Sequence, residues 1–201
     1  VINRPAQGYM IDAATLAGVL KGMDFPCIVK PVHLGSSIGV AKVNSVEELR
    51  ACLPRVFEFD DQALVEPFVQ NLVEYNVAVC RVDGKVRTSA IERPKTHDEL
   101  LDFKQKYLSG GDNKSGSKTG TKTAGPVSQG MLSLTRELNP PLPAETESNI
   151  RGWAARMFEG LNGTGAPRID FIGNSKTGEI WLNEVNPIPG SFGYFLWEAA
   201  A

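Results

Sequence analysis

Cysteine is scarce in this chain: Cys27, Cys52 and Cys80 are the three in 201 residues. Their number is odd, their spacings are wide, and each sits in an apolar or helix-forming context. A disulfide framework and a cysteine-ligated zinc site both need close, paired spacings, so both are excluded. Free thiols in a reducing compartment, and hence a cytoplasmic chain, are expected. Histidine is scarcer still, and His33 and His97 cannot build a histidine-rich metal centre alone. No apolar run approaches the roughly 20 residues of a membrane span. The opening Val1-Ile2-Asn3-Arg4-Pro5 is not a signal peptide, and its missing Met reads as a processed chain or a fragment. The formal charge of -2 offers no bulk attraction for nucleic acid or anionic lipid, so neither is an expected partner. Walker A and dinucleotide glycine fingerprints are missing too, and no internal repeat is visible.

What is present is a foldable α+β pattern. A hydrophobic content of 42% argues against disorder. A chain of this length buries roughly two thirds to 70% of its extended surface, enough for one domain or two small lobes sharing a cleft. Helix formers over 11–22 lead to a strand at 25–30, a loop over 33–39 and a strand at 40–43. Ser45 reads as an N-cap, with Glu48 completing a capping box for a helix running to 53 or 59. Apolar residues at 63–66 form a strand, and 74–81 with 85–92 form a hairpin around Asp83-Gly84. From 109 to 130 the composition collapses to Gly, Ser, Thr and Lys, the mark of a long loop, possible as an active-site lid. Pro140, Pro141 and Pro143 precede a helix over 144–160.

The sharpest chemical signal lies further on. Arg168-Ile169-Asp170-Phe171 and Trp181 to Pro187, joined by a turn at Gly178, read as two alternating strands. Such strands put Arg168, Asp170, Glu184 and Asn186 on one face. Three of these are oxygen ligands suited to a hard divalent cation, and the fourth is a guanidinium suited to an anion. A structural salt bridge is the rival explanation. Upstream, Lys30 ends a strand and precedes Gly35-Ser36-Ser37-Ile38-Gly39, where Ser36, Ser37 and backbone amides freed by glycine can cradle a polyphosphate. An ordinary surface hairpin is the alternative. Glu66 ends an apolar strand, and Pro67, Phe68 and Val69 can offer backbone and an apolar wall to an adenine ring. Glu74 lies within reach of ribose hydroxyls or is a solvated strand flank. Lys106, at the mouth of the polar loop, can neutralise a terminal phosphate. Pro189-Gly190 follows the acidic strand, so the Gly190 amide can face developing negative charge.

Taken in order, these segments resemble the ATP-grasp ligases, above all the D-alanine–D-alanine ligase family. The marks are Ile28-Val29-Lys30-Pro31 with Gly35 to Val40, then Leu64-Val65-Glu66, Lys106-Tyr107-Leu108, Arg168-Ile169-Asp170, and Asn183 to Gly190. The resemblance implies an ATP-grasp fold, two α+β lobes with antiparallel sheets enclosing a nucleotide cleft. It implies a first lobe over 1–68, and a second over 69–201 with a flexible loop at 109–130. It assigns ATP and two magnesium ions, manganese being a possible substitute, with Asp170, Glu184 and Asn186 as metal ligands. Lys30, Ser36, Ser37, Gly39, Glu66, Pro67, Phe68, Val69, Glu74 and Lys106 would bind the nucleotide. Arg168, Gly190, Ser37 and Lys106 would form the catalytic set. The implied activity is ATP-dependent joining of D-amino acids, most directly two D-alanines, through an acylphosphate in peptidoglycan precursor synthesis. The parent enzyme could be a homodimer. Only the family's central and C-terminal portion is covered, so the domain holding the first amino acid is missing from these residues. At Ser191 to Trp197 the chain also departs from the family's serine-bearing segment. That keeps two alternatives open: a ligase for a different amino-acid or peptide pair, or a nucleotide-binding fragment inactive alone.

Overall fold

The computed structural model describes residues 1–200 apart from 7, 9, 36, 37 and 96–134. The chain divides into two units, Val1–Gln70 and Asn71–Ala201. Each is built on an antiparallel sheet with its longer helices against one face, and a short helix at the end of the second unit lies on that sheet's opposite face.

The first unit holds β1 (Ile2–Asn3), α1 (Ala13–Val19), β2 (Cys27–Pro31), β3 (Ala41–Val43), α2 (Val46–Val56) and β4 (Gln62–Pro67), with strand order β1-β4-β2-β3. Alternation in β2 buries Cys27, Val29 and Pro31 and leaves Ile28 and Lys30 on the other face. The buried set packs with Val43, Ala63 and Val65 against Leu49, Leu53 and Val56 of α2. Burying such side chains is worth about 1.5–3 kcal/mol each and drives the unit together. The first helix is shorter than the 11–22 expected from composition, because Asp12 caps its start by accepting from the Thr15 amide at 2.9 Å. At the start of α2, Ser45 accepts from the Glu48 amide at 3.2 Å. The Glu48 carboxylate reaches the Asn44 amide, at 2.8 Å, rather than Ser45, so the reciprocal bond of the expected capping box lands one residue earlier. Pro54 sits in the last turn of α2, and the helix ends two residues later.

The second unit holds β5 (Leu72–Val82), β6 (Lys85–Pro94), β7 (Arg136–Leu138), α3 (Ala144–Gly160), β8 (Arg168–Asn174), β9 (Ile180–Asn186), a 3-10 turn (Gly190–Gly193) and α4 (Tyr194–Glu198). The strand order is β7-β6-β5-β8-β9. Asp83 (φ 49°) and Gly84 (φ 76°) make the two-residue turn of the β5–β6 hairpin, where positive φ at both positions matches the strands' twist. Ile150, Ala154 and Phe158 recur every fourth residue along α3 and form its buried stripe. They pack on Val77, Val79, Ile91, Ile169 and Phe171, one face of the sheet. The other face is polar. Among the described residues no helix is long and apolar enough to cross a membrane. Cys27 is buried and Cys52 and Cys80 half-buried, all as free thiols.

Candidate functional site

Both units carry their polar side chains on the sheet face away from the core, and each face is best built separately. In the first unit Ile28 stands opposite both Glu66 and Lys42 in the register, so these two and Lys30, two residues along β2, share a face. Lys30 Nζ pairs with Glu66 Oε2 at 2.7 Å. The ammonium has three donors, so this pair leaves capacity for an anion. Lys42 Nζ lies 3.9 Å from the centre of the Phe68 ring, a cation–π contact. The Phe68 amide donates to the Pro26 carbonyl at 3.0 Å. Of the four residues expected to meet adenine, then, Phe68 has its amide spent inside the unit. Pro67 is exposed, and Glu66, Phe68 and Val69 are half-buried.

The loop after Pro31 is anchored at its base. Asp60 accepts from the His33 amide at 2.6 Å and from the Gln62 amide at 3.1 Å, with the His33 ring nitrogen at 3.0 Å from its other oxygen. Those bonds to His33 first, then to Gln62, hold the Asp60 carboxyl down at about 2. Gly39 closes the loop with φ 74°, and a Cβ there would stand 2.9 Å from Pro31 Cγ, so only glycine fits. Ser36 and Ser37, the expected phosphate donors, lie outside the described residues.

In the second unit the register sets Arg168 opposite Asn186 and Asp170 opposite Glu184. Side chains directly opposite in an antiparallel pair share a face. A shift between Asp170 and Phe171 then keeps the apolar residues of both strands on the core side. Arg168 and Asp170 form a forked pair, Nε to Oδ1 at 2.6 Å and a terminal nitrogen to Oδ2 at 2.7 Å. The rival anticipated from sequence, a salt bridge, is therefore present, and it keeps Arg168 firmly protonated. It spends two of five guanidinium donors and one lone pair on each oxygen, so both groups retain capacity for ligands. Asp170 is buried between the core residues Ile169 and Phe171, whereas Glu184 is exposed at its end of β9. Neither Glu184 nor Asn186 makes a side-chain hydrogen bond or ion pair among the described residues.

Glu74 stands two positions along β5 from Asn76, which faces Asp170. Burial pushes the Glu74 carboxyl up, and the nearby charges of Asp170, Glu184 and Glu92 push it further against the pull of Arg168. Three functional-face residues escaped the sequence reading: Asn76, Glu92 and Arg136. Asn76 Nδ2 donates to Glu92 Oε2 at 3.0 Å, and an Arg136 terminal nitrogen pairs with Glu92 Oε1 at 2.9 Å. Alternation of Glu74 with Asn76 was a visible signal. For Glu92 there was none, because a two-residue hairpin without irregularity would put Ile91 opposite Asn76. A bulge between Val77 and Val79 advances the register and brings Glu92 there instead.

Lys106 and the loop at 109–130 lie outside the described residues. Gly190 is exposed at the head of the 3-10 turn, with Ser191 (φ 50°), Phe192 (φ 52°) and Gly193 (φ 63°) all left-handed behind it. Among the described residues no three His, Cys, Asp or Glu side chains are grouped closely enough to hold a metal ion. The donor set on the face is nevertheless of the right chemistry: carboxylate and amide oxygens, two side chains without partners, and a carboxylate strained by like charges that a cation relieves.

The D-ala D-ala ligase C-terminus family matches residues 5–198, so the chain belongs to that family. It is 36% identical over 176 residues to a D-alanine–D-alanine ligase of Campylobacter lari, covering 88% of this chain and 44% of that protein. To the same enzyme of Wolinella succinogenes it is 38% identical over 178 residues, again covering 88% and 44%. The chain thus spans less than half the length of these relatives. The crystal structure of D-alanine–D-alanine ligase from Helicobacter pylori aligns with a TM-score of 0.61 at 29% identity, covering 98% of this chain and 53% of that one. The D-Ala:D-Ser ligase VanG from Enterococcus faecalis aligns with a TM-score of 0.65 at 23% identity, covering 92% and 48%, a likeness of fold alone. The two-lobed α+β architecture with antiparallel sheets is that of these ATP-grasp ligases.

Proposed function

We propose that the chain is the nucleotide-binding and catalytic portion of an ATP-dependent carboxylate–amine ligase. Its parent would join two D-alanines in cytoplasmic peptidoglycan precursor synthesis. The observation that carries this reading is the β8–β9 register, which aligns one guanidinium and three oxygen ligands on a single face. The 36–38% identity to D-alanine–D-alanine ligases supports the substrate assignment.

On this reading Lys30 and Lys106 hold the ATP phosphates, and the loop bearing Ser36, Ser37 and Gly39 covers them. Glu66, Pro67, Phe68 and Val69 flank adenine, and Glu74 takes the ribose hydroxyls. Asp170, Glu184 and Asn186 hold two magnesium ions, for which manganese can substitute. When bound, those ions neutralise phosphate charge and polarise the transferring phosphoryl group. Asp170 serves from lone pairs left over by Arg168, while Glu184 and Asn186 bring oxygens that have no competing partner. The first substrate's carboxylate attacks the γ-phosphorus, giving an acylphosphate and ADP. The second substrate's amine then attacks that carbonyl and phosphate leaves. The free donors of Arg168 and the Gly190 amide stabilise the oxyanion formed in between.

Full-length protein given ATP, magnesium and D-alanine should release phosphate and form dipeptide in equal amounts. Absence of phosphate release with every amino acid tried overturns the reading. One observation favours a second acceptor: the segment after Gly190 exposes Phe192 and Tyr194, bulky rings beside the proposed oxyanion site. Phosphate release with a D-amino acid other than alanine, and none with alanine, would establish that variant.

A further inference from the structure

We propose that Arg136 is a positioning residue that withdraws Glu92 from cation binding, so that a divalent ion on this face is directed to Asp170 and Glu184. The inference rests on the cation-binding part of the reading above. Four carboxylates, Glu74, Glu92, Asp170 and Glu184, occupy strands of one sheet face, and chemistry alone does not distinguish them as ligands. Their surroundings do. Glu92 is only 4% exposed, and both its oxygens are taken, one by Arg136 and one by Asn76. Asn76 stands opposite Glu92 on one side and Asp170 on the other, so Glu92 is two strand spacings, about 10 Å, from Asp170.

Arg136 is itself fixed. Its guanidinium lies 4.3 Å from the centre of the Phe195 ring on α4, a stacked cation–π contact. Its Nε is the one buried side-chain polar atom among the described residues that has no hydrogen-bond partner. Leaving a buried donor unpaired is costly, and the site bears that cost to hold a cation against Glu92. Without a positive charge there, a buried carboxylate two strands from the proposed ligands would draw a divalent ion toward itself.

The test is Mn2+ binding to the full-length protein, followed by electron paramagnetic resonance, with phosphate release measured alongside. In R136Q, Mn2+ binding should tighten by about tenfold or gain an additional ion. In the double variant R136Q/E92Q the isotherm should return to within about twofold of wild type. R136K, which keeps the charge that faces Glu92, should also stay within that range, and it carries the test if R136Q does not fold. An R136Q isotherm superimposing on wild type overturns the proposal. So does a double variant as altered as R136Q, or an R136K as altered as R136Q, because packing on Phe195 would then be the role of Arg136. Phosphate release by the wild-type protein judges the ligase reading separately. A shift in Mn2+ binding between variants stands even if no acceptor supports turnover.

Discussion

The two sheets share a plan and differ in the sign of what they display. Each buries one face under its longer helices and carries charged side chains on the other, which in the second unit α4 partly covers. On the first unit's polar face Lys30 and Lys42 outnumber Glu66. On the second, Glu74, Glu92, Asp170 and Glu184 outnumber Arg136 and Arg168 by two. One polar face is thus net basic and the other net acidic, the distribution on which the proposed phosphate and cation sites rest. The difference also extends to how tightly the charges are held. Lys30 and Lys42 make single contacts at positions open to solvent, whereas Arg168 and Asp170 form a forked pair and Glu92 is held between Arg136 and Asn76. A polyphosphate must be able to enter and leave, and loosely held lysines suit that. On the acidic sheet the locking is selective, since Asp170 and Glu92 are held while Glu184 and Asn186 make no side-chain hydrogen bond or ion pair among the described residues.

Substitutions that should break this contrast differ in size. Phe158→Ala removes the deepest ring beneath the acidic sheet and should cost about 3–5 kcal/mol in a denaturant titration. Its effect on amide spectra should be confined to residues after 70. Arg168→Met should lower kcat of the full-length enzyme by about 10²–10³-fold, an effect on turnover larger than any on ATP binding. Lys30→Met should raise the KM for ATP by about tenfold with a smaller change in kcat, and a reversed pattern would move Lys30 from binding into the chemical step. Glu74→Gln should raise the Tm of metal-free protein by roughly 1–3 °C at neutral pH. The sign follows from the raised carboxyl: its ionised form is penalised in the folded state, so the penalty is absent below the ordinary glutamate range and complete above the raised value. The gain should vanish in acid. The smallest effect concerns the loop anchor. Asp60 is held at about 2, so its contribution is complete above pH about 4 and is lost as pH falls through about 2. The His33 amide proton should shift over that window, and D60N should abolish the shift.

Much of this was legible in the residues. Periodicity placed the strand carrying Val29, the hairpin at Asp83-Gly84 and the helix through Phe158, because each buries a full stripe and has turn residues at its ends. Alternation around Arg168-Ile169-Asp170 named the polar face before its register was known. Less was legible where one residue of irregularity decides the outcome. The bulge at Val77–Val79 flips Glu92 onto the polar face, and no side chain nearby announces it. Arg136 was invisible for the same reason, since its role exists only through Glu92. The exposure of Glu184 has no mark in the sequence, because Leu182 and Val185 beside it look like core, and it follows from β9 being the sheet's edge strand, covered less than its neighbour β8.

Local alternation and turn chemistry are properties of short stretches, so the chain by itself determined its longer strands and helices, its family and which face of β8 and β9 is charged, but not β1, β7 or α4. Which charges pair is a property of strands far apart in sequence. Arg168 and Asp170 share a strand and could be matched from sequence, but only the folded sheet could decide that Arg136 takes Glu92 and that Glu184 and Asn186 are left without a side-chain partner among the described residues. Such pairing depends on registers accumulated across several strands, and a shift of one residue anywhere along them reassigns every partner.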